Sequence, residues 1–324
     1  MRLIIYGVGA VGGTVAAGLV RGGQDVVGIA RGARLEALHE RGLRFLTPEL
    51  ETRVRLDLVD DPARLTFRPG DAVMLAMKTQ ATEGALERLR AAGWTDGPVF
   101  CAQNGIANED LALRRFPNVH GVLVMMPAKY VEIDEAAAYS HPRHGVFETG
   151  RYPGGADEDD RAFAALMEAG NIGGFVSEDV MASKRGKLLL NLGNVIGAAF
   201  GEAPDLRRAA TEEAKAVLAA AGLPFRDVGA ADPRRDALMQ QREVAGAGRA
   251  GSSTAQSLAR GEGGIETDWL NGEIAYLARL HGAAAPINAH LAALGARLSR
   301  EGAAPGSADL EAERAAMRAA GAEV

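Results

Sequence analysis

The sequence predicts an α/β domain built on a parallel sheet, followed by a domain that is all helix. Three observations carry this. The first half alternates short apolar runs with stretches of helical period; a glycine turn closes the first run at Gly7; and from about Asp179 the pattern is almost entirely helical. Near-continuous apolar strands separated by helices mark βαβ units whose sheet is buried on both faces. At roughly 150 residues per domain, 324 residues suggest two domains, here 1–176 and 177–324.

In order, Leu3–Tyr6, Val26–Ala30, Ala72–Ala76, Val99–Cys101 and Val119–Met126 read as strands. Helical patterns fall between several of them, at Val11–Arg21, Arg34–Arg41 and Ala81–Ala92. Alternation from Leu43 to Leu58 predicts two exposed antiparallel strands around a Thr47–Pro48 turn. The acidic run at 154–160 reads as a solvated loop before a helix, and Gly174–Val176 as a last short strand. In the second half, Gly282 followed by Pro286 is the punctuation expected between two helices. The alanine-rich stretch after Arg300 is expected to form a loosely held helix.

Composition removes several function classes. Hydrophobic residues at 47% and charged residues at 24% are ordinary for a globular chain, so disorder and fibrous folds are excluded. One cysteine, Cys101, excludes a disulfide framework and fits a reducing cytoplasm. A net charge of −6 argues against a nucleic-acid surface or a basic membrane anchor. No apolar run approaches a membrane span, and an opening strand and glycine turn do not have the layout of a signal peptide. Only five of 36 basic residues are lysines, namely Lys78, Lys129, Lys184, Lys187 and Lys215. Because an ammonium can give up a proton and a guanidinium cannot, these few lysines are the better candidates for chemistry.

Gly7-Val8-Gly9-Ala10-Val11-Gly12 is a G-x-G-x-x-G that closes a strand and opens a helix. Gly7 allows the tight turn, Gly9 lets a pyrophosphate approach the backbone, and Gly12 lets helix and strand pack closely. The anion would rest on the helix N-terminus, where unpaired N–H groups and the dipole favour it. The next strand does not end in the acid that would bind a ribose 2′-hydroxyl; Ala30-Arg31 stands there, with Arg34 one turn on. Arginine suits a 2′-phosphate, so the expected cofactor is NADP(H), held by this turn with Arg31 and Arg34.

Three further signals follow in order. A buried strand ends at Lys78, the strand Val99–Cys101 is followed by Gln103-Asn104-Gly105, and Lys187 and Asn191 stand four residues apart on one helix face. The first two lie outside the carboxyl ends of their strands, where open α/β sheets bind ligands. With Ser252-Ser253-Thr254-Ala255-Gln256 and Glu266-Thr267-Asp268-Trp269-Leu270-Asn271-Gly272, these residues make the chain resemble the ketopantoate reductase family over residues 1 to about 300.

The resemblance implies a Rossmann-type domain, a 6-phosphogluconate-dehydrogenase-like helical domain and a site in the cleft between them. It also implies NADPH-dependent reduction of a small-molecule 2-oxo acid or related ketone, by default 2-dehydropantoate to pantoate in pantothenate biosynthesis. Lys187 would be the general acid protonating the carbonyl oxygen. Lys78 and Asn104 would position Lys187, the nicotinamide ribose and the substrate, and Asn191, Ser253 and Glu266 would hold the substrate's polar groups. The competing readings are plainer. Lys78 could cap a strand end, Asn104 could be a turn residue, Ser253 could be only an N-cap, and Glu266 could answer a helix dipole.

Departures from the family pattern touch the substrate side. A second asparagine is usual four residues after the first on the catalytic helix, but Val195 stands there, with Asn194 one residue early and about 100° away around the helix. Ala250 replaces an asparagine, Thr254 a methionine and Ser257 an aspartate, and the loop 261–264 is one residue longer. A site that loses such partners loses affinity for a hydroxy acid. The alternatives are therefore a relative acting on another ketone or an imine, or a non-catalytic NADP(H)-binding protein.

His141 and His144 have no third ligand at a useful spacing, so no metal is expected. Cys101 reads as a small buried residue. The stripe Trp269, Leu270, Ile274 and Leu277 would face either the chain's own core or a second copy in a homodimer, and the core is favoured here.

Overall fold

The computed structural model describes residues 1–248, 251–259 and 264–324. Two compact units emerge, and each is taken by itself. The first comprises Met1–Asn104, Asn108–Met181 and Ala230–Ala250; the second comprises Gly105–Ala107, Ala182–Gly229 and Gly251–Val324.

An eight-stranded sheet organises the first unit. Its order is Gly173–Val176, Val146–Arg151, Val119–Met125, Val99–Cys101, Asp71–Leu75, Arg2–Tyr6, Val26–Ile29 and Asp57–Val59. Every neighbouring pair is parallel except Val119–Met125 with Val146–Arg151. Side chains alternate between faces. Leu3 and Ile5 join Met74, Phe100 and Val122 on one side, while Ile4 and Tyr6 join Val73, Leu75 and Cys101 on the other. Helices α1 (Ala10–Arg21), α2 (Gly32–Arg41), α3 (Thr82–Ala91), α4 (Asn108–Leu113) and α5 (Glu158–Ala169) complete it. Asp157 caps α5, accepting the amide N–H groups of Asp159 and Asp160, while Asp160 reaches back to the Asp157 amide. The acidic run thus builds a helix start as well as a loop.

The alternating segment after Leu43 forms Leu43–Leu46 and Glu51–Val54, paired antiparallel as expected. It is not exposed on both faces. A second sheet continues from Leu43–Leu46 to Glu135–Ala138 and Ala128–Lys129, and Leu43, Phe45 and Ala136 are buried with Ala17 of α1.

The second unit is helical, with α6 (Val180–Asn191) entering it, then α7 (Gly193–Phe200) and α8 (Pro204–Ala220). A contiguous second domain from 177 does not describe the chain, because Ala230–Ala250 clusters with the first unit. That segment holds α9 (Pro233–Leu238) and a strand, Met239–Gln241, which pairs with Ser140–Pro142. Arg234 bonds Glu148 at 2.5 Å, and the Ala247 carbonyl accepts from Lys129 Nζ at 2.7 Å and Tyr139 OH at 3.0 Å. These polar ties between residues far apart in sequence leave no periodic trace.

Helices α10 (Ser253–Ala259), α11 (Asn271–His281), α12 (Pro286–Glu301) and α13 (Leu310–Ala319) follow in the second unit. Gly105–Ala107 joins it because Gly105 backs onto the Trp269 carbonyl and Ile106 packs with Leu270 and Ile274. Leu270, Ile274 and Leu277 bury against Leu188, Leu192 and Val217, so that stripe serves the unit's own core; Trp269 is half-buried. The C-terminal helix is held more firmly than expected. Met317 is fully buried, Glu313 bonds His290 and Arg297, and Arg314 bonds Asp205 at 2.5 Å. Among the described residues, no helix is long and apolar enough to cross a membrane.

Candidate active site

In the first unit the site starts at the glycine turn. Gly7 has φ +106°, in the region glycine favours. A Cβ on Gly12 would lie 2.0 Å from the Gly7 carbonyl oxygen, so only glycine lets α1 pack here. Nothing lies within 4 Å of a Cβ built on Gly9. Gly9 is the N-cap of α1, makes no side-chain cap, and is followed by no acid in the first turn. The opening amides of Ala10, Val11 and Gly12 have no intrahelical acceptors, so this N-terminus suits an anion. Val8 packs beneath the turn as a buried side chain.

The two arginines part company. Arg31 is exposed, occupies the N-cap position of α2 and lies 5.9 Å from the Tyr6 ring. Arg34 is turned to structural work instead. Its Nε donates to the Val8 carbonyl at 3.1 Å, its Nη1 to the carbonyls of Glu132 at 3.3 Å and of Ile133, and its guanidinium covers Tyr130 at 4.5 Å. Burial pulls its pKa below the usual arginine value. Arg34 thus braces the glycine turn, while Arg31 stays exposed. Sequence spacing could not separate the two, since both follow the same strand end.

Lys78 and Asn104 sit on turns at the carboxyl ends of neighbouring strands, Asp71–Leu75 and Val99–Cys101, and both are half-buried. A buried polar set joins these turns. Thr82 Oγ1 donates to Asn108 Oδ1 at 2.8 Å and accepts from Gln103 Nε2 at 2.7 Å. Asn108 Nδ2 reaches Thr79 Oγ1 at 3.2 Å and the Asn104 carbonyl at 3.3 Å. The turns bearing Lys78 and Asn104 are therefore fixed relative to one another by Gln103 and by Thr79, Thr82 and Asn108, three side chains that the sequence did not single out. Their only sequence trace is the unusual density of amides and threonines beside the two turns.

In the second unit, Lys187 is half-buried and Asn191 buried on α6, four residues apart as expected. Asn194 and Val195 follow across the junction to α7. Leu192, the residue between α6 and α7, keeps helical dihedrals (φ −58°, ψ −30°), and its amide bonds the Leu188 carbonyl at 3.1 Å. At about 100° per residue, Asn194 returns to within roughly 20° of Lys187 whereas position 195 lies about 80° away. Burial agrees: Val195 is 1% exposed among Ile196, Leu206 and Leu291, while Asn194 is half-buried. The angle of about 100° between Asn194 and position 195 stands, and by the same count Asn194 lies nearer the azimuth of Lys187 than position 195 does.

Ser252, rather than Ser253, caps α10. Its Oγ accepts the Ala255 amide at 3.2 Å and donates to the Asn194 carbonyl at 3.3 Å. This ties the start of α10, where Ser253 is the first helical residue, to α7. Thr254 and Ser257 are buried on α10. Ala250 and residues 261–263 lie outside the described residues. Glu266 is half-buried and precedes the 3₁₀ turn Thr267–Trp269, making no side-chain cap there; α11 starts only at Asn271, so Glu266 does not lie in the first turn of that helix.

The histidines set aside earlier have local partners or burial of their own. His141 Nδ1 lies 2.9 Å from Glu49 Oε1. His144 is buried edge-on to Phe45, and desolvation lowers its pKa to about 4. Among the described residues, the one His–carboxylate group close enough to share an ion is His120 with Asp157 and Asp159. His120 is already held by Asp160 at 2.8 Å and by Asn118 at 2.9 Å, as part of the α5 start. Cys101 is buried, as expected.

Known proteins resemble this chain in sequence and fold. The description "Ketopantoate reductase PanE/ApbA" matches residues 3–154, and its C-terminal counterpart matches residues 188–298. A 2-dehydropantoate 2-reductase of Halobacterium salinarum is 26% identical over 318 residues, covering 93% of this chain and all of that protein. The crystal structure of a PanE/ApbA family ketopantoate reductase from Ralstonia eutropha superposes with a TM-score of 0.76 at 26% identity, covering 93% of this chain and 99% of the other. A D-mandelate dehydrogenase in ternary complex with NADH and anilino(oxo)acetate has the same fold, with a TM-score of 0.78 at 19% identity, 93% of this chain and 99% of the other.

The class these matches define is a Rossmann-type oxidoreductase with a helical second part. Within it, the chain belongs to the ketopantoate reductase family.

Proposed function

We propose that the chain reduces a 2-oxo acid or a related ketone with NADPH, Lys187 acting as the general acid. The observation that carries this reading is the face of α6–α7, where Lys187, Asn191 and Asn194 follow one another at helical spacing in a member of this family. The glycine turn fits a dinucleotide: its Gly9 position is open and no acid stands in the first turn of α1. Exposed Arg31 and the missing carboxylate after Val26–Ile29 favour a 2′-phosphate. The bound cofactor would supply the hydride.

The chain's own residues would do the rest. The Lys187 ammonium gives its proton to the carbonyl oxygen as negative charge develops there, which avoids an unstabilised alkoxide. Asn191, Asn194, Ser253 and Glu266 hold the substrate's polar groups. Lys78 and Asn104, on turns fixed by the Thr82–Asn108–Gln103 set, orient the nicotinamide ribose. The default substrate is 2-dehydropantoate.

A second reading keeps the machinery and changes the acid. It is favoured by the buried Thr254 and Ser257 on α10, where the resemblance would have methionine and aspartate. Steady-state NADPH oxidation with 2-dehydropantoate and with bulkier 2-oxo acids, NADH serving as a control, decides between them. A higher kcat/KM for 2-dehydropantoate supports the first reading, a higher value for a bulkier acid supports the second, and NADPH binding without turnover of any carbonyl overturns both.

A further inference from the structure

Asn271 belongs to the segment that follows Glu266, yet no part of the proposed chemistry uses it. It is 1% exposed, is the first residue of α11, and comes two residues after the turn Thr267–Trp269. Its Nδ2 donates to the Leu192 carbonyl at 3.2 Å and to Asn288 Oδ1 at 3.0 Å. Leu192 is the single residue between α6 and α7, directly after Asn191.

Asn288 is itself fully buried and is held from behind. Its Nδ2 donates to the Ala210 carbonyl and to Glu213 Oε1, both at 2.9 Å. The Glu213 carboxylate also accepts the amides of Ile287 at 2.9 Å and Asn288 at 2.8 Å, at the start of α12. A chain of polar side chains thus runs from α8 through α12 and α11 to the α6–α7 junction, all within the second unit. Each link is directional, whereas the Leu188, Leu270 and Ile274 packing around it is not.

Stability alone does not account for this amide. Asn271 Oδ1 is buried with no hydrogen-bond partner among the described residues, and a buried acceptor left unpaired costs free energy that an apolar side chain of like size avoids. What the amide adds is register between two elements. One carries Glu266; the other carries Lys187, Asn191 and Asn194.

We propose that Asn271 is a positioning residue that fixes the α6–α7 junction against the Glu266 turn, so that the acid and the substrate-holding groups of this unit meet one ligand together. The inference rests on the proposed reductase function. Asn271→Ala removes the donor, and Asn271→Asp removes it while keeping the shape. Each variant is compared with the wild type for KM and kcat with the preferred 2-oxo acid, for NADPH Kd by fluorescence, and for thermal midpoint.

Both variants are expected to raise KM for the acid at least tenfold while NADPH Kd stays within twofold, because cofactor binding belongs to the other unit. Asn288→Ala, which loosens Asn271 without removing it, should shift KM in the same direction by less, and it serves where the first two fail to fold. A lower thermal midpoint with KM unchanged overturns the inference and leaves Asn271 a core residue. Wild-type protein that turns over no 2-oxo acid overturns the functional reading and this inference together.

Discussion

The glycine turn of the first unit and the α6–α7 face of the second place function in opposite kinds of atoms. At the turn the groups proposed to recognise the cofactor are backbone amides, and residue identity matters by what it lacks: a Cβ on Gly12 would collide with the Gly7 carbonyl, and one on Gly9 would meet nothing. On α6–α7 the groups proposed to act are side chains, whose meeting depends on helical phase. A backbone site therefore announces itself in sequence as glycines at fixed intervals. On a helix a shift of one residue turns a side chain by about 100°, so the spacing has to be counted to the residue.

That contrast can be broken most forcefully at the turn. Gly12→Ala should destabilise the first unit by about 2–4 kcal/mol, since backbone must shift to admit the methyl group. Gly9→Ala should leave stability within roughly 0.5 kcal/mol and still weaken NADPH binding at least tenfold, since the methyl would occupy the approach to α1. Urea unfolding and fluorescence titration separate the two. Equal losses of stability would mean that Gly9, like Gly12, serves packing.

On the helical side, Val195→Asn should lose about 1–3 kcal/mol by burying an amide among Ile196, Leu206 and Leu291, with no gain in turnover. Asn194→Ala should instead raise KM for the 2-oxo acid about tenfold, with stability little changed. Unfolding midpoints and steady-state kinetics check both. A gain in turnover from Val195→Asn would restore position 195 to the site and refute the phase argument.

The smallest expected effect separates the two arginines. Arg31→Ala should reduce the preference for NADPH over NADH roughly tenfold without loss of stability, as removal of one charge-assisted contact would. Arg34→Ala should cost about 1–3 kcal/mol of stability by releasing the carbonyls of Val8 and Ile133. Ratios of kcat/KM for the two cofactors, set beside unfolding curves, test the division.

Sequence showed most of the first unit, because buried strands such as Leu3–Tyr6 and Val99–Cys101 read as apolar runs and glycine marks the turn. It missed the return of Ala230–Ala250 to that unit, which depends on the pairing of Met239–Gln241 with Ser140–Pro142 and on bonds such as Lys129 to Ala247. It also missed the buried polar sets around Asn108 and Asn271. Their members are scattered through the chain, and amides alone have no period to detect. Arg34 was legible as an arginine in the right place, while its inward turn toward Val8 was not.

The central claim is that Lys187 supplies the proton in a reduction driven by NADPH. The most direct test is the single-turnover rate of NADPH oxidation with saturating 2-oxo acid, for wild type and for Lys187→Ala, with NADPH Kd measured on both. The account predicts a rate lower by about 10²–10⁴-fold in the variant at a Kd within twofold of wild type. A rate within threefold of wild type would contradict it and move the proton donor elsewhere.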